Sequence, residues 1–543
     1  MATGKTKGSM KYEDIISKSL LVRPGSPAVY QLKPKTEEIR SLRRMTLGEK
    51  DLNQTNRTIL LVGETGTGKS TLINALVNYT MGVKWEDEVW FQIVEDEKRN
   101  QSESQTSDVI VYQIFGFEGK TLPYSLTIID TPGYGATSGI EHDVIISQRL
   151  LDWFRSADGV HEINAVGLVL KATENRLSDR LMYIFDSVVS LFGKDMEENI
   201  VALITHSSGL TYKNALTALE AANMKCAKDG KNQPVHFLFD NYQQEDRTED
   251  PEEEANAFTK TIKGLKKFTD FLEKTRPQQM NTTVEVLNSR IRLTACIQNL
   301  KERIHWTELK QTEIQQTQEA LKKHEEEMKN DEKFTVEVNE VYKEKETISA
   351  GRWGFGWFYK GATCCTVCEE NCHHPGCTVA PSPKHCEVMK DGRCTSCTGK
   401  CPVSDHVKGD KIYVTKTRKV EKTLKDVKEK YEKNKAKHEN KLSLLEILEK
   451  EMKELEKERD QLLEESFQLV VNLEKIALKV DSLSTHVHLD FLIEKMEKGD
   501  TEKIQKLEEM KRRMEGDTRF RAALRYGFNK LTSFTKAVAG AMR

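Results

Sequence analysis

Three groups of residues in this chain have types and spacings suited to chemistry. The first is Gly63-Glu64-Thr65-Gly66-Thr67-Gly68-Lys69-Ser70, which fits G-x-x-x-x-G-K-[ST] at every position and is followed by Thr71. Glycines at these places let the backbone turn so that successive N–H groups face a polyphosphate. The start of the next helix adds its positive end. In such a loop Lys69 reaches the β/γ-phosphates and Ser70 ligates Mg²⁺. The second group is Asp130-Thr131-Pro132-Gly133, which closes the run SLTIID. An acid ending a buried strand holds Mg²⁺ through water, and the Gly133 amide contacts a γ-phosphate and loses it on hydrolysis. A further hydroxyl ligand for Mg²⁺ is expected between the two motifs, ahead of the next strand. Thr106, in ESQTSDVIVYQI, is the first choice, with Ser107 and Thr121 as rivals.

The third group is a cysteine cluster. Nine of the eleven cysteines fall between Cys364 and Cys401. Nothing at the N-terminus reads as a secretory leader, so a reducing, cytoplasmic setting is expected, in which clustered thiols bind metal more readily than they form disulfides. Two half-motifs repeat, Cys365-x₂-Cys368-x₃-Cys372 and Cys394-x₂-Cys397-x₃-Cys401. Histidines follow each, His373/His374 and His406, while Cys377, His385 and Cys386 lie between. A C-x₂-C pair sets two thiolates on one turn, as two corners of a tetrahedral Zn²⁺ site. The supply suffices for two structural zincs. One pairing joins Cys365/Cys368 to Cys394/Cys397 and leaves Cys372, Cys377, Cys386 and Cys401 or His406 for the second; sequential pairing is as open. An iron–sulfur cluster or redox thiols are the other readings. Few apolar residues separate the cysteines, so the segment needs metal to hold a fold. The aromatic run GRWGFGWFY (351–359) packs on this knob or forms a contact patch.

These groups need elements to hold them. Apolar runs at 58–63, 125–130, 165–170, 200–205 and 235–239 alternate with helix-length amphipathic stretches. That alternation predicts an α/β domain with a mainly parallel sheet over 51–278, after an N-terminal extension, 1–50. Asp250 is placed to cap a helix starting at Pro251. From about 284 the sheet signal ends. Positions 293 to 328 and 445 to 480 each carry a heptad seam, the second with nine of eleven places apolar. They predict helices on the order of 70–100 Å long. The simplest arrangement is an antiparallel coiled-coil hairpin, arms 284–348 and 411–485, tipped by the cysteine knob, 349–410. Flanking segments 334–338 and 411–415 alternate like strands and are expected to pair. Two separate coiled coils used for homodimerisation are the alternative. The region 486–543 ends in TRFRAALRYGFNKLTSFTKAVAGAMR, a basic amphipathic helix candidate that packs back on the α/β domain or the hairpin, or else lies on an anionic membrane surface or another subunit.

Composition sets outer limits. Of 543 residues, 31% are charged and 37% hydrophobic, so much of the chain is expected to be solvent-exposed helix or disorder. With 83 basic and 85 acidic residues the net charge is −2, which excludes a globally basic nucleic-acid binder. No apolar run is long enough to cross a membrane.

GETGTGKSTLIN and DTPGYG resemble the septin-like branch of P-loop GTPases, which includes septins, the immunity-associated GTPases and the chloroplast outer-envelope import receptors. The resemblance covers roughly 55–275. It implies GTP and Mg²⁺ as ligands, a GTP-binding switch with slow GTPase activity, and homo-oligomerisation through the nucleotide-binding domain or the coiled coil. By the same resemblance Thr205 and His206 pack on the base and Asn241 contacts it. The usual N/T-K-x-D is absent here, so guanine over adenine rests on resemblance. Tyr134, not glutamine, follows DTPG, so no catalytic side chain is assigned and help from a partner subunit is expected. The organisation is also similar to that of vertebrate proteins joining such a domain to a long coiled coil with a cysteine-rich insert. A non-enzymatic nucleotide-bound scaffold, or an ATP-binding P-loop protein, is the alternative. A zinc-hook ATPase is disfavoured, because 480–543 holds no apolar run ending in Asp-Glu.

Overall fold

Six consecutive buried residues, Thr58 to Gly63, make up all but the first two positions of the central strand of the first unit. The computed structural model describes residues 11–39, 42–95, 108–134, 140–174, 178–207, 212–240, 247–248, 250–323, 335–348, 361–377, 382–423, 444–480, 483–496 and 500–516. The chain divides into two compact units, 1–287 with 474–486 and 511–543, and 288–473 with 487–510.

The first unit is built on an eight-stranded sheet. Its strands in chain order are β1 (Lys35–Ile39), β2 (Leu42–Leu47), β3 (Asn56–Gly63), β4 (Ile110–Ile114), β5 (Ser125–Asp130), β6 (Ala165–Lys171), β7 (Ile200–Thr205) and β8 (His236–Leu238). The spatial order is β8-β7-β6-β3-β5-β4-β2-β1. From β8 across to β5 every pairing is parallel, while β4 runs antiparallel to β5 and β1 antiparallel to β2. The chain builds outward from β3 to one side through β5, then to the other through β6. The carboxyl end of β3 is thus the switch point at which open α/β sheets bind ligands. All five apolar runs read from the sequence became strands. The N-terminal segment is no separate extension: β1 and β2 complete the sheet edge. They read as polar because one face carries charges, with Arg44 and Lys35 both paired to Glu37.

Helix α1 (Lys69–Met81) leaves β3 and is fixed by two buried amides. Asn74 Oδ1 accepts the N–H groups of Ile93 and Val94, and Asn78 exchanges hydrogen bonds with the Phe91 backbone. Helices α2 (Ile140–Arg155), α3 (Asp179–Val189), α4 (Tyr212–Ala221) and α5 (Pro251–Lys274) complete the unit. Asp250 caps α5 as expected, its carboxylate accepting the Glu253 N–H at 3.0 Å. Phe237 and Phe268 close the core between β8 and α5, ring centroids 5.1 Å apart.

In the second unit the described elements are most of α6 (Asn281–Lys323), β9 (Thr335–Thr347), β10 (Gly361–Cys365), β11 (Glu370–Cys377), β12 (His406–Gly409), β13 (Lys411–Thr423) and α7 (Leu444–Ile476). α8 (Leu483–Lys495) and α9 (Thr501–Gly516) follow. Asn472 bonds Ser289, and Glu458 bonds Arg303. The partner numbers rise on one helix as they fall on the other, so α6 and α7 pack antiparallel. Leu293, Ile297, Leu300, Ile304 and Ile314 of the expected seam are buried on α6, and Leu462 and Leu473 on α7. β9 and β13 pair antiparallel over thirteen residues each, Thr335↔Thr423 to Thr347↔Lys411. The strand signal was therefore real but far longer than FTVEV and KIYVT. The cysteine segment is not a remote tip. It packs on α6, with Arg292 Nε donating to Glu387 O and Asn299 Nδ2 to Glu370 Oε2. That is why α6 buries Ala295, Cys296 and Asn299 in addition to its seam. The aromatic run 351–359 and the basic segment 518–543 lie outside the described residues. Among the described residues no helix is long and apolar enough to cross a membrane.

Candidate functional site

The glycine loop joins β3 to α1 in the way its sequence requires. Gly66 and Gly68 have φ of +79° and +87°, the left-handed region that side chains resist. Lys69 opens α1, is buried, and donates to the carbonyls of Gly63 and Glu64 at 3.0 Å each. Burial pushes its ammonium down to about 8, against the pull of Asp130 and Glu64. A polyphosphate in the loop would supply the counter-charge that burial withholds. Ser70 and Thr71 start the same helix, half-buried. Asp130 ends β5, one strand away, fully buried.

The two motifs are zipped together. Tyr134 N–H donates to Gly63 O at 3.1 Å, and Thr131 Oγ1 donates to Leu61 O at 2.9 Å. A Cβ on Gly133 would lie 2.6 Å from both N and Cα of Thr65 and 2.2 Å from its Oγ1. Glycine at 133 is therefore required by close approach to the phosphate loop. Glu64 is held from outside by Arg180 of α3 at 2.8 Å; burial raises its carboxyl despite that partner.

Of the residues expected at the base, Thr205 lies beneath the loop: it is wholly buried, and its hydroxyl donates to Thr67 O at 2.7 Å. Its hydroxyl supports the loop from below. His206 stands beside it, at φ +51°, its Nδ1 3.1 Å from Thr205 Oγ1. Burial, then Lys171, holds this imidazole below its usual range. Asn241 and Thr106, with Ser107, lie outside the described residues. Thr121 is removed as a rival: its Oγ1 sits beside Gly82, past the far end of α1, about 20 Å along the helix from the loop.

Sequence reasoning passed over Asp240. It is buried near His206; burial raises its carboxyl despite Lys260 and His206, and its Oδ1 has no hydrogen-bond partner among the described residues. It stands in FLFDN, two residues past the end of β8 and beside Asn241. The resemblance placed the base contact one residue further on, at Asn241.

The cysteine segment is compatible with metal binding. Cys365, Cys368, Cys397 and Cys401 converge, their sulfurs all within 4.8 Å of one another. Cys372, Cys394, Cys397 and His406 form a second such group. Cys386 falls in neither; it stands with His373 and Glu387. These groups match neither pairing read from the sequence, Cys365/Cys368 with Cys394/Cys397 or sequential: the repeated half-motifs interleave, because β10, β11 and β12 bring Cys372 and His406 to the second half-motif. The side chain of Cys377 lies outside what is described.

Residues 53–147 match the septin family model. Among solved structures, Toc33 from Arabidopsis thaliana in complex with GDP and Mg²⁺ is 15% identical, over 41% of this chain and 88% of that one, with a TM-score of 0.30. Toc33 in complex with Mg²⁺ and GMPPNP gives 16%, the same coverage and 0.30. The elongation factor SelB from Methanococcus maripaludis, with a GTP analogue, gives 11%, 42% and 36%, and 0.24. No curated protein matches the chain. The family match and the zipped loop together mark a septin-like P-loop GTPase domain.

Proposed function

We infer that this protein is a guanine-nucleotide switch: it binds GTP with Mg²⁺, hydrolyses it slowly, and passes the nucleotide state to the paired helices α6 and α7. One observation carries the reading. The DTPG segment is bonded directly to the phosphate loop, so any γ-phosphate that engages Gly133 works on a segment already coupled to Gly63 and Thr65. Lys69 binds the phosphates, Ser70 and Asp130 hold Mg²⁺ directly and through water, and the Gly66–Gly68 amides cradle the chain of phosphates. Base choice falls to Asp240. Its buried, unpaired carboxylate oxygen beside His206 is the acceptor that a guanine N1–H and N2–H₂ would satisfy and that adenine would leave unmet.

Tyr134 stands where a water-positioning glutamine would, buried and with its N–H bonded to Gly63. Slow turnover follows, raised when two nucleotide domains meet and one supplies charge to the other. The same observation supports a second reading, a scaffold that keeps its nucleotide unhydrolysed. Single-turnover phosphate release measured across protein concentrations separates them: release that quickens with concentration supports the switch, and none at any concentration supports the scaffold. The nucleotide that co-purifies tests the reading itself; GDP or GTP is expected.

A further inference from the structure

Cys397 belongs to both four-membered sulfur groups of the second unit. We propose that the cysteine segment is a binuclear Zn²⁺ centre in which the Cys397 thiolate bridges the two metals. One zinc is held by Cys365, Cys368, Cys401 and Cys397, the other by Cys372, Cys394, His406 and Cys397.

Geometry makes the case. Zn–S bonds of about 2.3 Å in a tetrahedron place sulfurs about 3.8 Å apart. Cys368 and Cys401 stand 3.6 Å apart, and all members of each group lie within 4.8 Å. Six cysteines and one histidine fill eight coordination positions only if one is shared, and Cys397 is the residue common to both groups. It is wholly buried. His406 is prepared as a ligand. Its Nδ1 lies 2.9 Å from Pro402 O, and a carbonyl can only accept, so Nδ1 carries the proton and Nε2 presents its lone pair. Among the described residues that buried Nε2 has no hydrogen-bond partner.

Backbone amides point at the sulfurs as they do around thiolates. Cys365 Sγ accepts from Cys368 N, Cys394 Sγ from Ser396 N and Cys397 N, and Cys397 Sγ from Cys401 N, each at 3.3 Å. Gly399 N reaches Cys368 Sγ at 3.4 Å, and a Cβ on Gly399 would sit 2.9 Å from Cys401 Sγ. The hydrophobic cluster here consists of the cysteines themselves with Ala295, Val388 and Met389. Such a segment needs an ion at its centre. His373 Nδ1 faces Cys386 Sγ at 3.2 Å and Glu387 Oε2 at 3.3 Å, a group that is satisfied by its own hydrogen bonds and is left out of the centre. Loading two Zn²⁺ displaces the six thiol protons and leaves a cluster two charges negative.

The test uses the full-length reduced protein and stands apart from the nucleotide reading. Metal analysis is expected to find two zincs per chain. After exchange into ¹¹³Cd²⁺, NMR should show two resonances of equal intensity, each split by the other through the shared sulfur, and one shifted by its nitrogen ligand. Cys386→Ser should keep both resonances and the splitting. Cys397→Ser, if it folds, should lose the splitting. Two unsplit resonances in the unaltered protein, a single metal, or a third would overturn the bridged centre.

Discussion

Gly133→Ala is the sharpest perturbation of the nucleotide site. The new methyl would meet Thr65 N and Cα at 2.6 Å, where ordinary contact begins near 3.4 Å. Backbone cannot swing aside like a side chain, so the two segments must part by about 1 Å, which strains the Tyr134–Gly63 and Thr131–Leu61 bonds. Overpacking of this kind costs about 1–3 kcal/mol. If the phosphate loop must be closed to bind, the same cost appears as a loss of about 5- to 150-fold in GTP affinity. Titration with a fluorescent GTP analogue measures it, and thermal unfolding reports the accompanying loss of stability. Adding Thr65→Ala removes the 2.2 Å hydroxyl contact but not the backbone contacts, so the double variant should recover little. Wild-type affinity and an unmoved Tm in Gly133→Ala would refute the coupling between the two motifs.

Other outcomes follow from the same geometry. Lys69 titrates near pH 8 by burial. Phosphate binding needs its proton, so GTP affinity should be flat below pH 8 and weaken above it by up to tenfold per pH unit; calorimetry across pH 6.5–9.5 checks this. Lys69→Ala should lose binding at every pH. Asp240→Asn should cut the preference for GTP over ATP at least tenfold in competition binding, because an amide matches the guanine edge poorly. Gly399→Ala places a methyl 2.9 Å from Cys401 Sγ and 3.2 Å from Cys368 Sγ, and should release zinc at a lower chelator concentration than the parent, read with a colorimetric indicator.

The phosphate loop was legible because its chemistry is local. Eight consecutive residues, a preceding apolar run and a following helix signal leave little else for the backbone to do. The buried parallel strands were legible for a related reason: they are apolar on both faces. β1 and β2 were not, since the edge strand and its neighbour, with Lys35, Glu37 and Arg44 on one face, mimic a polar extension. Nor was Asp240, whose role depends on where β8 ends relative to His206 and not on neighbours in sequence. The metal-compatible residue types were readable from spacing, but their grouping was not. Repeated half-motifs suggest that like pairs with like, whereas the strand order β11-β10-β12 interleaves them and places Cys397 between both sets. The seam of α6 was visible, but its second buried face, covered by Glu370 and the cysteine segment, carries Asn299 and Arg303, which no hydrophobic period reveals.

Calorimetric titration of nucleotide-stripped protein with GTP, GDP and ATP, each with and without Mg²⁺, tests the central claim most directly. One site per chain is expected, filled by GTP in a Mg²⁺-dependent way, with ATP markedly weaker. Silence toward all three triphosphate and diphosphate ligands, in protein whose fold is intact by circular dichroism, would contradict it.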